Sequence, residues 1–283
     1  MEGRRSRRRA ARQVTHPFRW RGTGPRPASA LVLALVAVLG AVAASHAVAE
    51  LTQRGNLFVR FDGGIQPKAL PRDRLAPIAV RIEGTIRAPT TDDPPALHRI
   101  RIALNRAGSL DTRGLPTCTM GKLRSASTNE ALAACSSALV GSGGVTARIS
   151  IPEQTPTLTR AEMLLFNSVV GNRPAIIAHV FQLDPAPITR VIVFRIRHVR
   201  GAFGTVLEAA VPPSVNRTAH IKTIYLQLER HFVYRGRQRS YLSAGCAAPP
   251  GFTMVTFPFA QAAVTFEDGR TLSSTLVRTC RVR

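Results

Sequence analysis

Lysine is nearly missing from this sequence. Of 39 basic residues only Lys68, Lys122 and Lys222 are lysines, and all the others are arginines. A GC-rich genome produces that ratio by codon bias, so part of the formal charge of +23 carries no functional meaning. Arginine nevertheless stays charged at any physiological pH, so the positive field is real. Acids are also few, at 16, and scattered. Asp92-Asp93 precedes two prolines and reads as a solvated turn rather than a calcium loop. Glu83 and Glu229 fall on outward faces of strands, where a neighbouring arginine would pair with them.

Further absences exclude whole classes of chemistry. There is no G-x-S-x-G, no Gly-rich phosphate loop and no H-E-x-x-H, which removes the nucleophile elbow, the P-loop and the helical zinc protease. His98, His179, His198, His220 and His231 are not at ligand spacing to one another. No metal and no cofactor is implied, and the chain reads as a non-enzyme. An enzymatic reading would need a cleft in which His179, His198 or His231 meets an acid and a serine.

Cysteine is limited to Cys118, Cys135, Cys246 and Cys280. C-x-x-C redox spacing and short C-x2-C zinc spacing are both absent, and no histidine lies beside any of the four. The four therefore read as structural staples. Three connectivities are open, and the sequential one, Cys118–Cys135 with Cys246–Cys280, closes the shortest loops. Bridges need an oxidising compartment, and the N-terminus supplies a route to one. Met1 to Arg26 carries nine arginines and one acid, followed by the uncharged run Ala28 to Ala49. The run ends in Ala47-Val48-Ala49, the small-x-small pattern of a signal peptidase site, so residues 1–49 read as a signal peptide cleaved after Ala49. The alternative is an uncleaved N-terminal anchor, since 22 residues could span a bilayer. Asn216-Arg217-Thr218 fits a glycosylation sequon.

Hydrophobic residues make up 45% of the chain, enough for a sizeable core. They recur mostly with period two. Ile78, Val80, Ile82 and Ile86 alternate with Arg81, Glu83, Thr85 and Arg87. Ile100, Ile102 and Leu104 oppose Arg99 and Arg101. Ile192, Phe194 and Ile196 oppose Arg195 and Arg197. Ile224, Leu226, Leu228 and Phe232 run through a single expected strand, Ile221 to Tyr234. Such alternation marks half-buried antiparallel strands, and Asp268-Gly269 between two alternating arms marks a hairpin. The one helix signal is "STNEALAACSSAL", near 127–139, with Ser127 or Thr128 as cap, Glu130 in the first turn, and Leu132, Cys135 and Leu139 as inward stripe. The fold class expected over 50–283 is all-β: an antiparallel β-sandwich, either one or two packed halves at 50–156 and 157–283. A faint echo between "IRIALNRAGSLDTRGLPTC" and "IYLQLERHFVYRGRQRSYLSAGC" favours the halves.

Positive charge concentrates at "YRGRQRSYL". Arg235, Arg237 and Arg239 sit on an expected hairpin tip flanked by Tyr234 and Tyr241. Guanidinium groups bind phosphate and carboxylate in bidentate fashion, and an aromatic ring can stack on a sugar or base. The tip thus reads either as a contact for anionic envelope polymer or lipid head groups, or as a solvated turn. Nucleic acid is not expected as a partner.

The segments "RGNLFVRFDGGIQPKALPR", "AGSLDTRGLPTC", "EALAACSSALVGSG", "FRIRHVRGAFGTVL" and "RSYLSAGCAAPPGF" resemble a family of uncharacterised exported β-rich proteins from high-GC Gram-positive bacteria. The resemblance spans Arg54 to Arg283. It implies an exported architecture, the placement of the four cysteines and a helix-bearing insert between Cys118 and Cys135, and no activity, ligand or catalytic residue. In that family a proline often follows the second cysteine, where this chain has Ser136. Two functions are expected from these features: a non-catalytic, secreted or cell-envelope binding or structural module, or a carrier of an apolar ligand between its sheets.

Overall fold

The alternating runs are strands in the computed structural model, all but one of them unbroken; the model describes residues 49–89, 93–150, 152–213 and 218–283. The expected signal segment up to residue 48, Asp92, and Asn216-Arg217 of the sequon lie outside the described residues. In chain order the strands are β1 (Glu50–Arg54), β2 (Leu57–Gln66), β3 (Ala69–Leu70), β4 (Ala76–Pro77), β5 (Ala79–Arg87), β6 (Leu97–Asn105), β7 (Gly108–Leu110), β8 (Leu139–Ile149), β9 (Thr157–Val170), β10 (Arg173–Gln182), β11 (Ile188–His198), β12 (Phe203–Ala210), β13 (Ala219–Leu228), β14 (His231–Tyr234), β15 (Arg237–Ser240), β16 (Leu242–Ala244), β17 (Met254–Phe266) and β18 (Thr271–Val282). Thirteen of them form one sheet in the order β1-β2-β5-β13-β8-β9-β10-β11-β12-β6-β17-β18-β3. All its pairings are antiparallel except β18 with β3.

The all-β antiparallel class is thus realised by a single curled sheet, whose opposed walls are the two apolar layers facing one another. The stretches 50–156 and 157–283 share that sheet and interleave: β13 lies between β5 and β8, and β6 between β12 and β17. The two segments of the sequence echo meet directly, because β7 and β16 pair in a small three-stranded sheet with β4.

Alternation sets which side each residue takes. Val59, Phe61, Ile82, Ile86, Ile102, Ile192, Leu226 and Val264 all turn inward and are buried. The core they form is continuous from β2 round to β18. The curl requires close backbone approach in places. At Gly143, on β8, a β-carbon would overlap the carbonyl oxygen of Tyr225 on β13, so only glycine fits. The ends of the sheet meet where β1 and β2 lie against β18. There Thr52 Oγ1 donates to Ser273 O at 3.1 Å. Arg278 of β18 is 7% exposed; it donates through Nε to Gly63 O and through Nη2 to an Asp62 carboxylate oxygen at 2.7 Å.

The two ends of the curl differ. At one, the small sheet of β4, β16 and β7 caps the interior, and Tyr241, Leu242 and Cys246 are buried in it. At the other, Leu57, Leu97 and Phe266 fill the side formed by β2, β6 and β17. The expected strand Ile221–Tyr234 is split. β13 stops at Leu228, Glu229 N–H donates to Val140 O, and Arg230 O accepts from Tyr241 N–H, so the chain leaves the large sheet and β14 pairs with β15 instead.

Between Cys118 and Cys135 the chain folds as two short helices, Met120–Leu123 and Thr128–Cys135, laid on the outer face of β9 and β10. Ser127 caps the second in a full capping box with Glu130. Its buried residues are Ala131 and Cys135, followed by Ala138 in the 3-10 turn Ser136–Ala138, while Leu132 is only half-buried. The small side chains let the helix lie close on Phe166 and Ile177, both fully buried. Leucines at those contacts would hold it off the sheet. Ser168 and Asn167 of β9 bind the Cys118, Leu115 and Pro116 carbonyls and stitch the insert down. The cysteines pair sequentially, with Cα–Cα distances of 5.6 Å for Cys118–Cys135 and 5.8 Å for Cys246–Cys280. The first bridge closes the helical insert, and the second ties the small end sheet to β18. Two disulfides are consistent with an extracellular location. No helix among the described residues is long and apolar enough to cross a membrane.

The seam makes a testable demand. Arg278→Met removes donors from the Gly63 carbonyl and the Asp62 carboxylate. Breaking a fully buried pair costs about 3–5 kcal/mol, and since Asp62 is a third exposed, about 2–3 kcal/mol is expected here. Urea unfolding of the two proteins reads the difference.

Candidate functional site

The interior of the curl holds a chamber of about 80 Å³. Its walls come from β2, β5, β6, β8, β9, β10, β11, β13 and β17, and every side chain in them is hydrocarbon apart from the thioether of Met163. A second chamber of about 310 Å³ lies towards the ends of β8, β10, β11 and β13. Val145, Val180, Ile192 and Ile221 line both, so the two adjoin. The outer chamber also carries polar groups: Thr159, Gln182, Arg190 and Thr218. Thr159 is spoken for, since its hydroxyl donates to Asp184 O. Together the two chambers can take an elongated apolar body from the rim inward, and the volume of the outer one matches the lower end of small-molecule sites, about 300 Å³.

The arginine tip is assembled differently from the sequence expectation. β14 and β15 form a hairpin that turns at Arg235-Gly236, both at positive φ. Arg235 and Arg237 are exposed there, and Arg235 stacks on the Tyr234 ring at 5.2 Å. Arg239 is withdrawn: it pairs with Asp111, which also binds Arg113, and it too lies over the Tyr234 ring, 5.7 Å from its centroid. No acid occurs in the sequence between Arg230 and Glu267, yet a distant segment delivers one. Tyr234 packs on Gly114, where a β-carbon would overlap its ring. Tyr241 does not flank the tip at all. It is fully buried beneath the hairpin, its hydroxyl has no hydrogen-bond partner, and burial pushes its pKa far above the ordinary value. The strand period explains the separation: Tyr241 lies one residue beyond β15, where the chain turns into the end sheet.

A broader basic surface lies on the outside of β6, β10, β11 and β12. Arg99, Arg173, Arg195 and Arg197 edge a shallow groove of about 810 Å³ floored by Val191 and Val193. Glu208 is the one acid in it, and it pairs with both Arg99 and Arg197. This cluster escapes sequence reading because its members come from three non-adjacent stretches. The outward positions of the individual arginines do follow from alternation.

The histidines are dispersed. His179 is fully buried under the helical insert, where its Nε2 donates to Ala126 O at 2.8 Å, the carbonyl that Thr189 also reaches. His198 lies 3.5 Å from Thr205 Oγ1 on the far part of the sheet, and His231 is exposed opposite Ser240 on the tip hairpin. The structure does not bring these three together. Asp93 is no bare turn residue: it pairs with Arg148 and Lys222 and accepts from Ser150, clamping the β5–β6 connection to β8 and β13. Among the described residues no three His, Cys, Asp or Glu side chains are grouped as a metal site. No family model matches the chain, and neither a curated protein nor a solved structure matches it.

Asp111 makes the hairpin's docking pH-dependent. Burial alone would raise its pKa, but hydrogen bonds from Arg113 and Arg239 outweigh burial and hold it below the ordinary 3.8. A depressed carboxyl stabilises the folded state above its unfolded pKa and loses that contribution as pH falls through the folded value. The protection of the β14 and β15 amides, taken relative to their intrinsic exchange rate at each pH, should therefore be unchanged from neutral pH down to about pH 4 and fall only below it. In Asp111→Asn the lower protection should already be present at pH 7.

Proposed function

We propose that this protein is an exported carrier that holds an apolar ligand inside its curled sheet. The observation that supports this reading is the pair of adjoining chambers, the inner one walled by hydrocarbon from nine strands. If nothing filled it, an apolar void of that inner volume would cost on the order of 2 kcal/mol at ~24 cal/mol per Å³. Filling it would take only larger side chains at Ala178 or Ala262, both of which face it. A core selected for stability alone has that remedy at hand. Export is supported by the Arg-rich segment ending in Ala47-Val48-Ala49, by the two bridges, and by the resemblance to exported proteins. Cleavage after Ala49 places Glu50 at the mature N-terminus, and an N-terminal anchor is the alternative.

One measurement on native material reads both parts of this proposal. Mass spectrometry of the protein purified from its host should give a chain starting at Glu50 and a co-purifying apolar molecule released on denaturation. Val145→Phe and Val180→Phe, at the junction of the chambers, should each lower the affinity for a fluorescent apolar probe at least about tenfold while costing about 1–3 kcal/mol in stability. Probe binding that is unchanged in folded variants refutes the carrier.

A second reading, attachment to an anionic envelope component, is supported by the outer groove, where four arginines face a single glutamate. Screening within a Debye length of about 8–10 Å makes such attachment salt-sensitive. Retention on anionic vesicles should fall in Arg173→Ser/Arg195→Ser, and less so in Arg235→Ser/Arg237→Ser. Equal retention of both variants and the wild type at low salt eliminates it.

A further inference from the structure

Arg190 puts a charge on the apolar face of β11. Along β11 the inward face runs Ile188, Arg190, Ile192, Phe194, Ile196, with Arg190 directly opposite Val180 of β10. Every other member of that face is apolar, and Val180 lines both chambers. Arg190 itself lines the outer chamber and is half-buried. The guanidinium has five N–H donors. Among the described residues it makes no ion pair or side-chain hydrogen bond, whereas Arg148 of β8 and Lys222 of β13 both pair with Asp93. Asp184, on the same hairpin, contributes its backbone carbonyl to Thr159 and no carboxylate to Arg190.

We infer that Arg190 receives the head group of the bound ligand, and that the ligand is a single-chain amphiphile ending in a carboxylate or a phosphate monoester. This inference rests on the carrier reading and specifies its ligand class. The planar fork of a guanidinium matches either group in bidentate fashion, and a partly desolvated site strengthens the bond relative to water. Gln182 adds an amide to the lining of the same chamber. The volumes bear on the number of tails. The outer chamber, at 310 Å³, lies at the small end of ligand sites, and the inner one narrows to 80 Å³. A single chain entering tail first fits that order of volumes, with its head left beside Arg190.

The test uses the full exported protein, stripped of lipid, with three probes that share one tail: dodecanoate, dodecyl phosphate and dodecanol. Calorimetry at neutral pH and below the critical micelle concentrations should show both anions binding at least about tenfold tighter than the alcohol, since a charge-assisted bidentate pair is worth that much or more. The two anionic probes distinguish a carboxylate from a phosphate preference. In Arg190→Gln the preference for anions should vanish while dodecanol affinity stays as it was. Arg60→Gln, at an exposed position on the outer face of β2, should behave as wild type. Arg190→Lys should keep part of the preference, which separates loss of charge from loss of fold. If Arg190→Gln retains the anion preference, or if the wild type shows none while binding dodecanol, the head-group assignment is overturned and the carrier survives. If no probe binds wild type or variant, the carrier reading falls and takes this assignment with it.

Discussion

A sheet with this many strands has two edges, and everything else in the structure depends on how those edges are dealt with. An open edge presents a row of unpaired N–H and C=O groups and leaves one apolar face exposed. Here the face is hidden by curling and the edges by bringing β1 and β2 against β18. Arg278 does the joining on the inside of the seam, reaching Gly63 O and Asp62 from a nearly water-free position. β3 then covers the last two residues of β18 through parallel pairing at Arg281 and Val282. Only once the ring is closed do the inward residues of nine strands share a space, and only then can that space be apolar and partly unfilled.

The middle of the sheet meets a further constraint. β9 and β10 bury both faces: Met163, Leu165 and Ala178 point into the curl, while Leu164, Phe166 and Ile177 point out beneath the helical insert. Their sequences accordingly read as near-continuous apolar runs instead of alternating ones. The insert is therefore a lid on hydrophobic surface, which accounts for its attachment by a bridge, by two side chains of β9 and by His179 and Thr189 on one carbonyl.

Local physics made a good part of this legible in the sequence. Period-two alternation placed the inward residues of β5, β6 and β11 correctly, because a half-buried strand leaves no other arrangement. The Ser127–Glu130 spacing placed the helix, because a capping box is a local interaction. What depends on distant partners was not legible. Strand order, ring closure and the meeting of Asp111 with Arg239 across 128 residues follow from no local pattern. The tip therefore looked like three unrelieved charges, and Tyr241 looked like a surface ring. Arg190 is an intermediate case. Extending the β11 alternation from Ile192 back to Ile188 puts a charge on the apolar face. The clear alternation starts only at Ile192, so the residue that breaks the pattern lies just before it.

The seam also fixes the order in which the molecule can become itself. Thr52 and Ser273, which meet across it, are 221 residues apart, and β13 must enter between β5 and β8 after both have been made. Contacts of such long range are closed late, at a large cost in chain entropy. A chain threaded across a membrane N-terminus first would present β1, β2 and β5 to the far side as an unclosed strip, exposed along one edge and on its inner face until β17 and β18 emerged. The last strand out would seal the ring, so for a chain so threaded the most aggregation-prone state would coincide with the crossing itself.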